Sequence, residues 1–133
     1  MEKIEHIGIA VKDLELSNKL FASLFGKEHY KEEEVASEGV KASFFKSGPN
    51  KIELLQATNA ESPIAKFIEK KGEGVHHIAF AVSDIKAEIK RLKTAGFIVL
   101  NETPKKGADN KLVAFLHPKT TNGVLIELCQ EIE

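Results

Sequence analysis

The alternation of hydrophobic and polar residues changes period along this chain, and each change predicts a new element. Residues 4–11 alternate around β-branched positions, which predicts a β-strand. Residues 14–25 carry apolar positions at helical spacing, between an N-cap at Asp13 and a glycine stop at Gly26. The apolar stripe of this helix is predicted to contain Leu16, Leu20, Leu24, Phe21 and Phe25.

Three more strands and a connecting helix complete the first half. The strands are predicted over residues 28–35, 40–47 and 51–57, the last two forming a hairpin around Gly48-Pro49-Asn50. Ser62 followed by Pro63 predicts an N-cap and first helical turn, so a connecting helix spans about 62–70.

The second half repeats the same order of elements. Its segments are a strand over 75–82, a helix over 85–95 between Asp84 and Gly96, a strand over 97–101, a polar loop over 102–110, and strands over 111–117 and 123–129. Each half therefore reads β-α-β-β-β, which indicates an internal duplication. We predict an α+β fold in which two paired βαβββ modules, about 4–57 and 75–130, form an open sheet within a single domain, 1–133.

The two halves also match residue by residue at their beginnings and ends. The first contains HIGIAV from His6 and IELLQ ending at Gln56, and the second contains HIAFAV from His77 and IELCQ ending at Gln130. A histidine near the front and a glutamate near the back therefore occur twice.

Strand alternation indicates which way these histidines point. His77 shares a face with Ala79 and Ala81, as His6 does with Gly8 and an alanine, whereas the bulky residues lie on the other face. Small residues beside a polar group leave room for a ligand. By the same alternation, His76 points to the packed side or lies at the lip of the strand.

The glutamates indicate a metal. Glu53 and Glu127 each stand within an apolar strand, where a carboxylate is costly unless it is paired or bound to metal. Two histidines and two glutamates in matched positions, His6, Glu53, His77 and Glu127, predict a divalent metal site. This ligand set suits zinc, iron, cobalt, nickel or manganese.

Composition excludes several classes of function. The chain has 133 residues, 42% of them hydrophobic, and a net charge of −1, which gives no electrostatic case for nucleic acid or an anionic membrane. Cys129 is the one cysteine, which excludes an internal disulfide and fits a reducing compartment. The N-terminus has only a short apolar run with charges inside it, so we expect neither a signal peptide nor a membrane span. A cytoplasmic protein is predicted, and symmetric duplications favour a homodimer.

Paired βαβββ modules with these residues on first and last strands resemble the vicinal oxygen chelate (glyoxalase/bleomycin resistance/dioxygenase) superfamily, and within it the methylmalonyl-CoA epimerase family. The resemblance is carried by residues 5–11 (EHIGIAV), 51–55 (KIELL), 61–70 (ESPIAKFIEK), 74–82 (GVHHIAFAV), 114–119 (AFLHPK) and 123–130 (GVLIELCQ). It implies an acyl-CoA substrate and a metal-dependent interconversion of (R)- and (S)-methylmalonyl-CoA, through removal of the C2 proton and an enolate.

Carried over by position, the resemblance implies His6, Glu53, His77 and Glu127 as metal ligands and cobalt as the ion, with zinc, nickel, manganese or iron also compatible. Some epimerases have glutamine at the position of Glu53. We expect Glu127 to be one base and Glu53 the other, with water or His76 as alternatives to Glu53. Some members carry a further glutamate near the position of Ala42, so this chain departs from that pattern and the second base stays open.

Four lysines around the second module could face CoA phosphates or be ordinary solvated lysines: Lys105, Lys106, Lys111 and Lys119.

The residues also leave room for related functions. Glu53 fits glyoxalase I as well, whereas residues 61–70 and 114–119 favour the epimerases. A ring-cleaving dioxygenase and a metal-free sequestering protein are two further functions that the same fold could serve. Sites of such dioxygenases usually draw two histidines and one carboxylate from one module, and a sequestering protein has no need of four symmetric ligands.

Overall fold

The computed structural model describes all residues from Met1 to Glu133 and has the predicted α+β composition. Its strands are β1 Lys3–Ala10, β2 Lys31–Val35, β3 Val40–Ser47, β4 Asn50–Ala57, β5 Gly74–Ala81, β6 Lys105–Lys106, β7 Lys111–Leu116 and β8 Ile126–Glu131. Its helices are α1 Leu14–Phe25, α2 Pro63–Lys71 and α3 Ile85–Thr94. None of these helices has the length and apolar character needed to span a membrane.

The chain divides into two compact units. The amino-terminal unit is His6–His76, and the carboxy-terminal unit is His77–Glu133 together with Met1–Glu5. Strand order is β2-β3-β4-β1 in the first and β5-β8-β7-β6 in the second. In each, the strand before the helix pairs in parallel with the last strand, and the remaining pairs are antiparallel. The duplicated βαβββ plan is confirmed; the single domain stays a prediction.

Both long helices start in the same way. The side chain of Asp13 accepts a hydrogen bond from the backbone N–H of Leu16, and that of Asp84 accepts one from Ala87. Each aspartate thereby satisfies one of the N–H groups that a helix leaves without an internal partner. The two predicted N-caps are confirmed.

A second matched pair of hydrogen bonds ties each helix to the last strand of its unit. Gln56 Oε1 accepts from the backbone N–H of Leu14 at 2.6 Å, and Gln130 Oε1 accepts from that of Ile85 at 2.7 Å. The glutamines that close the repeated IELLQ and IELCQ motifs therefore hold the first turn of α1 and of α3. The repeated sequence motif therefore produces the same glutamine-to-helix hydrogen bond in both units.

The buried stripe of α1 differs from the predicted one. Three of its predicted members are exposed: Leu16, Leu20 and Leu24. Phe21 and Phe25 face inward, with ring centroids 6.2 and 5.6 Å from that of the fully buried Phe45 on β3. Adjacent helical residues point about 100° apart, so the face that buries these rings turns the leucines outward. The prediction for the leucines is wrong.

Phe45 is the side chain on which this packing converges, so Phe45→Ala is expected to lower the free energy of unfolding by about 3–5 kcal/mol. The loss combines the transfer free energy of the ring with the cavity left between β3 and α1. Urea denaturation of the two proteins measures it. Leu20→Ala, on the exposed side of α1, serves as the control and is expected to change stability little. Equal losses from the two substitutions would contradict this core.

Residues 97–101 do not form the predicted strand. The segment makes an isolated bridge to the sheet between Val99 and Leu116. Beyond this bridge, a side chain rather than the backbone bonds to β7. Asn101 Oδ1 accepts from the N–H of Phe115 at 2.9 Å, and Asn101 Nδ2 donates to the carbonyl of Val113 at 3.1 Å. The prediction of a strand here is wrong, because backbone pairing stops after one bridge and the Asn101 side chain makes the next contacts with β7.

Two other boundaries differ from the prediction. The predicted loop 102–110 contains the short strand β6, which pairs with β7. The last strand begins at Ile126, three residues later than expected, because Pro118–Thr120 winds into a 3-10 turn and Gly123 takes a left-handed conformation. Proline and glycine at these positions favour the turn over an extended strand.

Asn101→Ala is expected to destabilise the protein by about 1–3 kcal/mol, because it leaves part-buried groups of Phe115 and Val113 without these partners. Asn101→Asp keeps the acceptor but sets a carboxylate oxygen against the Val113 carbonyl, so we expect a loss at least as large. The free energy of unfolding at pH 7 measures both. An alanine variant as stable as the parent would show that water replaces the side chain without loss.

Candidate active site

The amino-terminal unit brings His6 of β1 against Glu53 of β4. His6 Nε2 lies 2.8 Å from Glu53 Oε2, and the two side chains are 5% and 6% exposed. Parallel pairing of β1 with β4 places Gly8 opposite Glu53, so no side chain from that position crowds the carboxylate. On the other face of the same strands, Ile9 and Leu54 pack beneath α1, as strand alternation predicted.

The carboxy-terminal unit repeats this arrangement with His77 of β5 and Glu127 of β8. His77 Nε2 lies 3.3 Å from Glu127 Oε1, and the side chains are 6% and 8% exposed. Ala79 stands opposite Glu127 in the parallel pairing and is fully buried. Each unit therefore holds one buried imidazole beside one buried carboxylate, with a residue no larger than alanine in register.

The donor atoms of each pair are spaced as neighbouring ligands of one metal ion would be. Bonds of about 2.0–2.2 Å from a divalent metal to nitrogen or oxygen give about 2.8–3.1 Å between adjacent ligand atoms at octahedral angles and about 3.3–3.6 Å at tetrahedral angles. The separations of 2.8 Å in the His6–Glu53 pair and 3.3 Å in the His77–Glu127 pair agree with that spacing. Burial adds to the fit, because a metal ion would compensate the carboxylate charge that is otherwise costly to bury.

Small and apolar side chains surround the His77–Glu127 pair. Ala79, Val113 and Cys129 form a buried cluster with Phe115 packed against it, and the Phe115 ring stands edge-on to the His77 imidazole at 6.2 Å. Cys129 is a buried free thiol within this cluster. The face that carries His77 is thus lined by three short apolar side chains and one aromatic ring.

His76 has a structural position. Its imidazole stands edge-on to the Phe67 ring of α2 with centroids 5.0 Å apart, which is the packed side that strand alternation allowed. Burial, with the nearby charge of Lys71, lowers the pKa of His76 from 6.5 to about 4. His76 is therefore neutral at pH 7, and its contact with Phe67 weakens the case for it as a second base.

The four lysines of the second module differ in their surroundings. Lys111 is buried and its Nζ lies 3.3 Å from Glu131 Oε1, so this lysine is not part of a solvated loop. Lys105 Nζ lies 6.0 Å from the centre of the Phe115 ring. Alternation with Val113 and Phe115 along β7 was the signal that could have predicted the burial of Lys111.

Two further residues near the sheet, His117 and Ala42, do not carry catalytic groups. His117 is structural, because its Nδ1 accepts from the backbone N–H of Lys119 at 2.9 Å. Ala42 is fully buried on β3, and its position carries no carboxylate. The second base of the predicted reaction is therefore not on β3 at that position.

Comparisons with known proteins identify the family of this chain. Residues 5–115 match the family model described as Glyoxalase/Bleomycin resistance protein/Dioxygenase superfamily. The chain is 43% identical over 130 residues to the ethylmalonyl-CoA/methylmalonyl-CoA epimerase of Cereibacter sphaeroides, covering 96% of this chain and 97% of that protein. It is 39% identical over 129 residues to the mitochondrial methylmalonyl-CoA epimerase of Homo sapiens, covering 96% and 73%.

A solved structure gives the same result. The structure of a methylmalonyl-CoA epimerase in complex with methylmalonyl-CoA and NH4+ matches with a TM-score of 0.94 at 34% identity, covering 98% of this chain and 95% of that chain. The resemblance inferred from the sequence motifs is confirmed. The chain belongs to the glyoxalase/bleomycin resistance protein/dioxygenase superfamily and, within it, to the methylmalonyl-CoA epimerase family.

Proposed function

We propose that this protein is a metal-dependent epimerase that interconverts (R)- and (S)-methylmalonyl-CoA. The observation that carries the proposal is the pair of buried histidine–glutamate contacts at matching positions of the two units. Its support from comparison is the 43% identity, over nearly the whole of both chains, to a protein named for this activity.

We propose that His6, Glu53, His77 and Glu127 together hold one divalent metal ion, with cobalt implied by the resemblance and zinc, nickel, manganese or iron also compatible. The spacing of nitrogen and oxygen within each pair supports this ligand set. When bound, such an ion supplies a Lewis acid that stabilises negative charge developing on the substrate. Homodimer formation and a cytoplasmic location stay predictions from the sequence.

Glu127 is the proposed base on one face of the substrate. Its carboxylate takes the C2 proton, the C–H bond breaks, and the electron pair moves into the thioester carbonyl to give an enolate. Return of a proton to the opposite face of C2 inverts the centre. Glu53 is the residue that the sequence suggested for that second transfer, and it is also one of the proposed ligands.

The buried apolar cluster beside His77 suits this chemistry. Ala79, Val113 and Phe115 present apolar surface where the acyl group would lie, which excludes water from the enolate and strengthens electrostatic stabilisation. The role of these residues is to shape the site, whereas the proton moves through the carboxylates.

Proton exchange at C2 tests the function directly. The purified protein, incubated with one epimer of methylmalonyl-CoA in heavy water, is expected to incorporate deuterium at C2 and to yield the other epimer. Removal of methylglyoxal in the presence of glutathione, with no exchange at C2, would assign glyoxalase I activity instead. Neither activity, together with no affinity for cobalt or zinc, would favour a metal-free binding protein.

A further inference from the structure

The face of the amino-terminal sheet that carries Glu53 holds one other strand carboxylate, that of Glu33. Cross-strand partners in an antiparallel pair share a face. Phe44 of β3 is the partner of Glu53 on β4, and Ala42, two residues earlier and therefore on the same face, is the partner of Glu33 on β2. Glu33 thus lies on the face of the His6–Glu53 pair.

Contacts of Lys31 hold the Glu33 carboxylate on this face. Lys31 Nζ lies 3.3 Å from Glu33 Oε1 and 5.1 Å from the centre of the Phe44 ring. Phe44 is fully buried and is the strand partner of Glu53. The ammonium group thus contacts the Phe44 ring and the Glu33 carboxylate together, so this carboxylate lies on the side of the sheet that Phe44 faces.

One strand, β3, separates the two glutamates on this face of the sheet. Glu33 is two strands from Glu53 and offset by two residues along the sheet, so their Cα atoms are about 12 Å apart. The diagonal between them crosses β3 between Ala42, the partner of Glu33, and Phe44, the partner of Glu53. A small acyl group held beside Glu53 would have the Glu33 carboxylate at its side.

We propose that Glu33 is the second proton-transfer residue, a role that rests on the proposed epimerase function. Glu53 is less suited to it, because its carboxylate is held closer to its histidine, 2.8 Å from His6 Nε2, than Glu127 is to His77 at 3.3 Å. In one direction Glu127 takes the C2 proton and the carboxylic acid of Glu33 gives its proton to the opposite face. After this step Glu127 is protonated and Glu33 is ionised, and proton transfer to and from water restores the starting state. In the reverse direction Glu33 takes the C2 proton and Glu127 gives its proton.

Glu33→Gln distinguishes proton transfer at one face of C2 from proton transfer at the other. Interconversion of the epimers is expected to fall by about 10²–10⁴-fold, the usual contribution of a general acid or base. One epimer is expected to keep exchanging its C2 proton with heavy water, with retention of configuration, through Glu127. Glu34→Gln is the matched control, because Glu34 pairs with Lys41 on the opposite face of the same strands and is expected to react as the parent does.

Chemical rescue adds a readout that a purely structural role would not produce. Added acetate is expected to restore inversion to Glu33→Ala and to leave Glu34→Ala unchanged. The assignment would be overturned if Glu33→Gln inverted the epimers at the parental rate. It would also be overturned if Glu53→Gln lost inversion while Glu33→Gln kept it. Loss of exchange from both epimers without recovery in acetate would overturn it as well. If the unsubstituted protein exchanges neither epimer, it is the proposed epimerase function that fails.

Discussion

Replacing Glu127 with glutamine is expected to slow exchange of the C2 proton in the epimer that Glu127 deprotonates, while leaving metal bound. Glutamine has nearly the same shape and keeps an oxygen that can bind a metal ion, but at neutral pH it cannot accept a proton. The expected loss is about 10²–10⁴-fold in the rate of exchange. Deuterium incorporation from heavy water, followed by mass spectrometry, measures the rate, and metal analysis of the same sample measures occupancy.

Glu131 provides the control for this experiment. It lies on the same strand and the same face as Glu127, but its side chain is 82% exposed. Glu131→Gln is therefore expected to exchange the proton at the parental rate. Unchanged exchange in Glu127→Gln would remove Glu127 from the role of base. Loss of both exchange and metal would leave its ligand role intact and would require the base to be sought elsewhere.

Loss of either histidine is expected to have the second large effect. Substitution of residues that only support metal ligands costs about 10–100-fold in affinity, so His6→Gln and His77→Gln are expected to cost more than about 100-fold. Epimerase activity should fall in parallel with metal content. Treatment of the parent protein with a chelator is expected to abolish activity, and addition of cobalt is expected to restore it. Titration calorimetry with cobalt measures the affinity.

His29 provides the matched histidine control. Its Nε2 lies 2.8 Å from Glu32 Oε2 near the protein surface, so it has a carboxylate partner without the burial of the His6–Glu53 pair. His29→Gln is expected to bind cobalt as the parent does. Stoichiometric metal in both His6→Gln and His77→Gln would contradict the proposed ligand set. Full epimerase activity in chelated protein would contradict a role for metal in the reaction.

Much of the fold could be predicted because its signals are local. The aspartates at 13 and 84, with the glycine after α1, mark helix boundaries through contacts within a few residues. Residues 97–101 could not be predicted in this way, since Asn101 bonds to Phe115 on a later strand. The leucines of α1 have helical spacing too, and only the packing of Phe45 decides which apolar stripe is buried.

The candidate site could be predicted in part for similar reasons. His6 and His77, with Glu53 and Glu127, were found because duplication placed them in matched frames and strand alternation gave their faces. Glu33 could not be found, because its face depends on the pairing of β2 with β3 and the segment itself is polar throughout.

The matched glutamines have a consequence for how this chain can change. On β4, Glu53 faces the site while Gln56, three residues later, holds the start of α1 on the opposite face. Glu127 and Gln130 repeat the combination on β8. A single-residue insertion or deletion between glutamate and glutamine would turn one of them to the wrong face. We therefore expect these four-residue intervals to resist length changes even where individual side chains can be substituted.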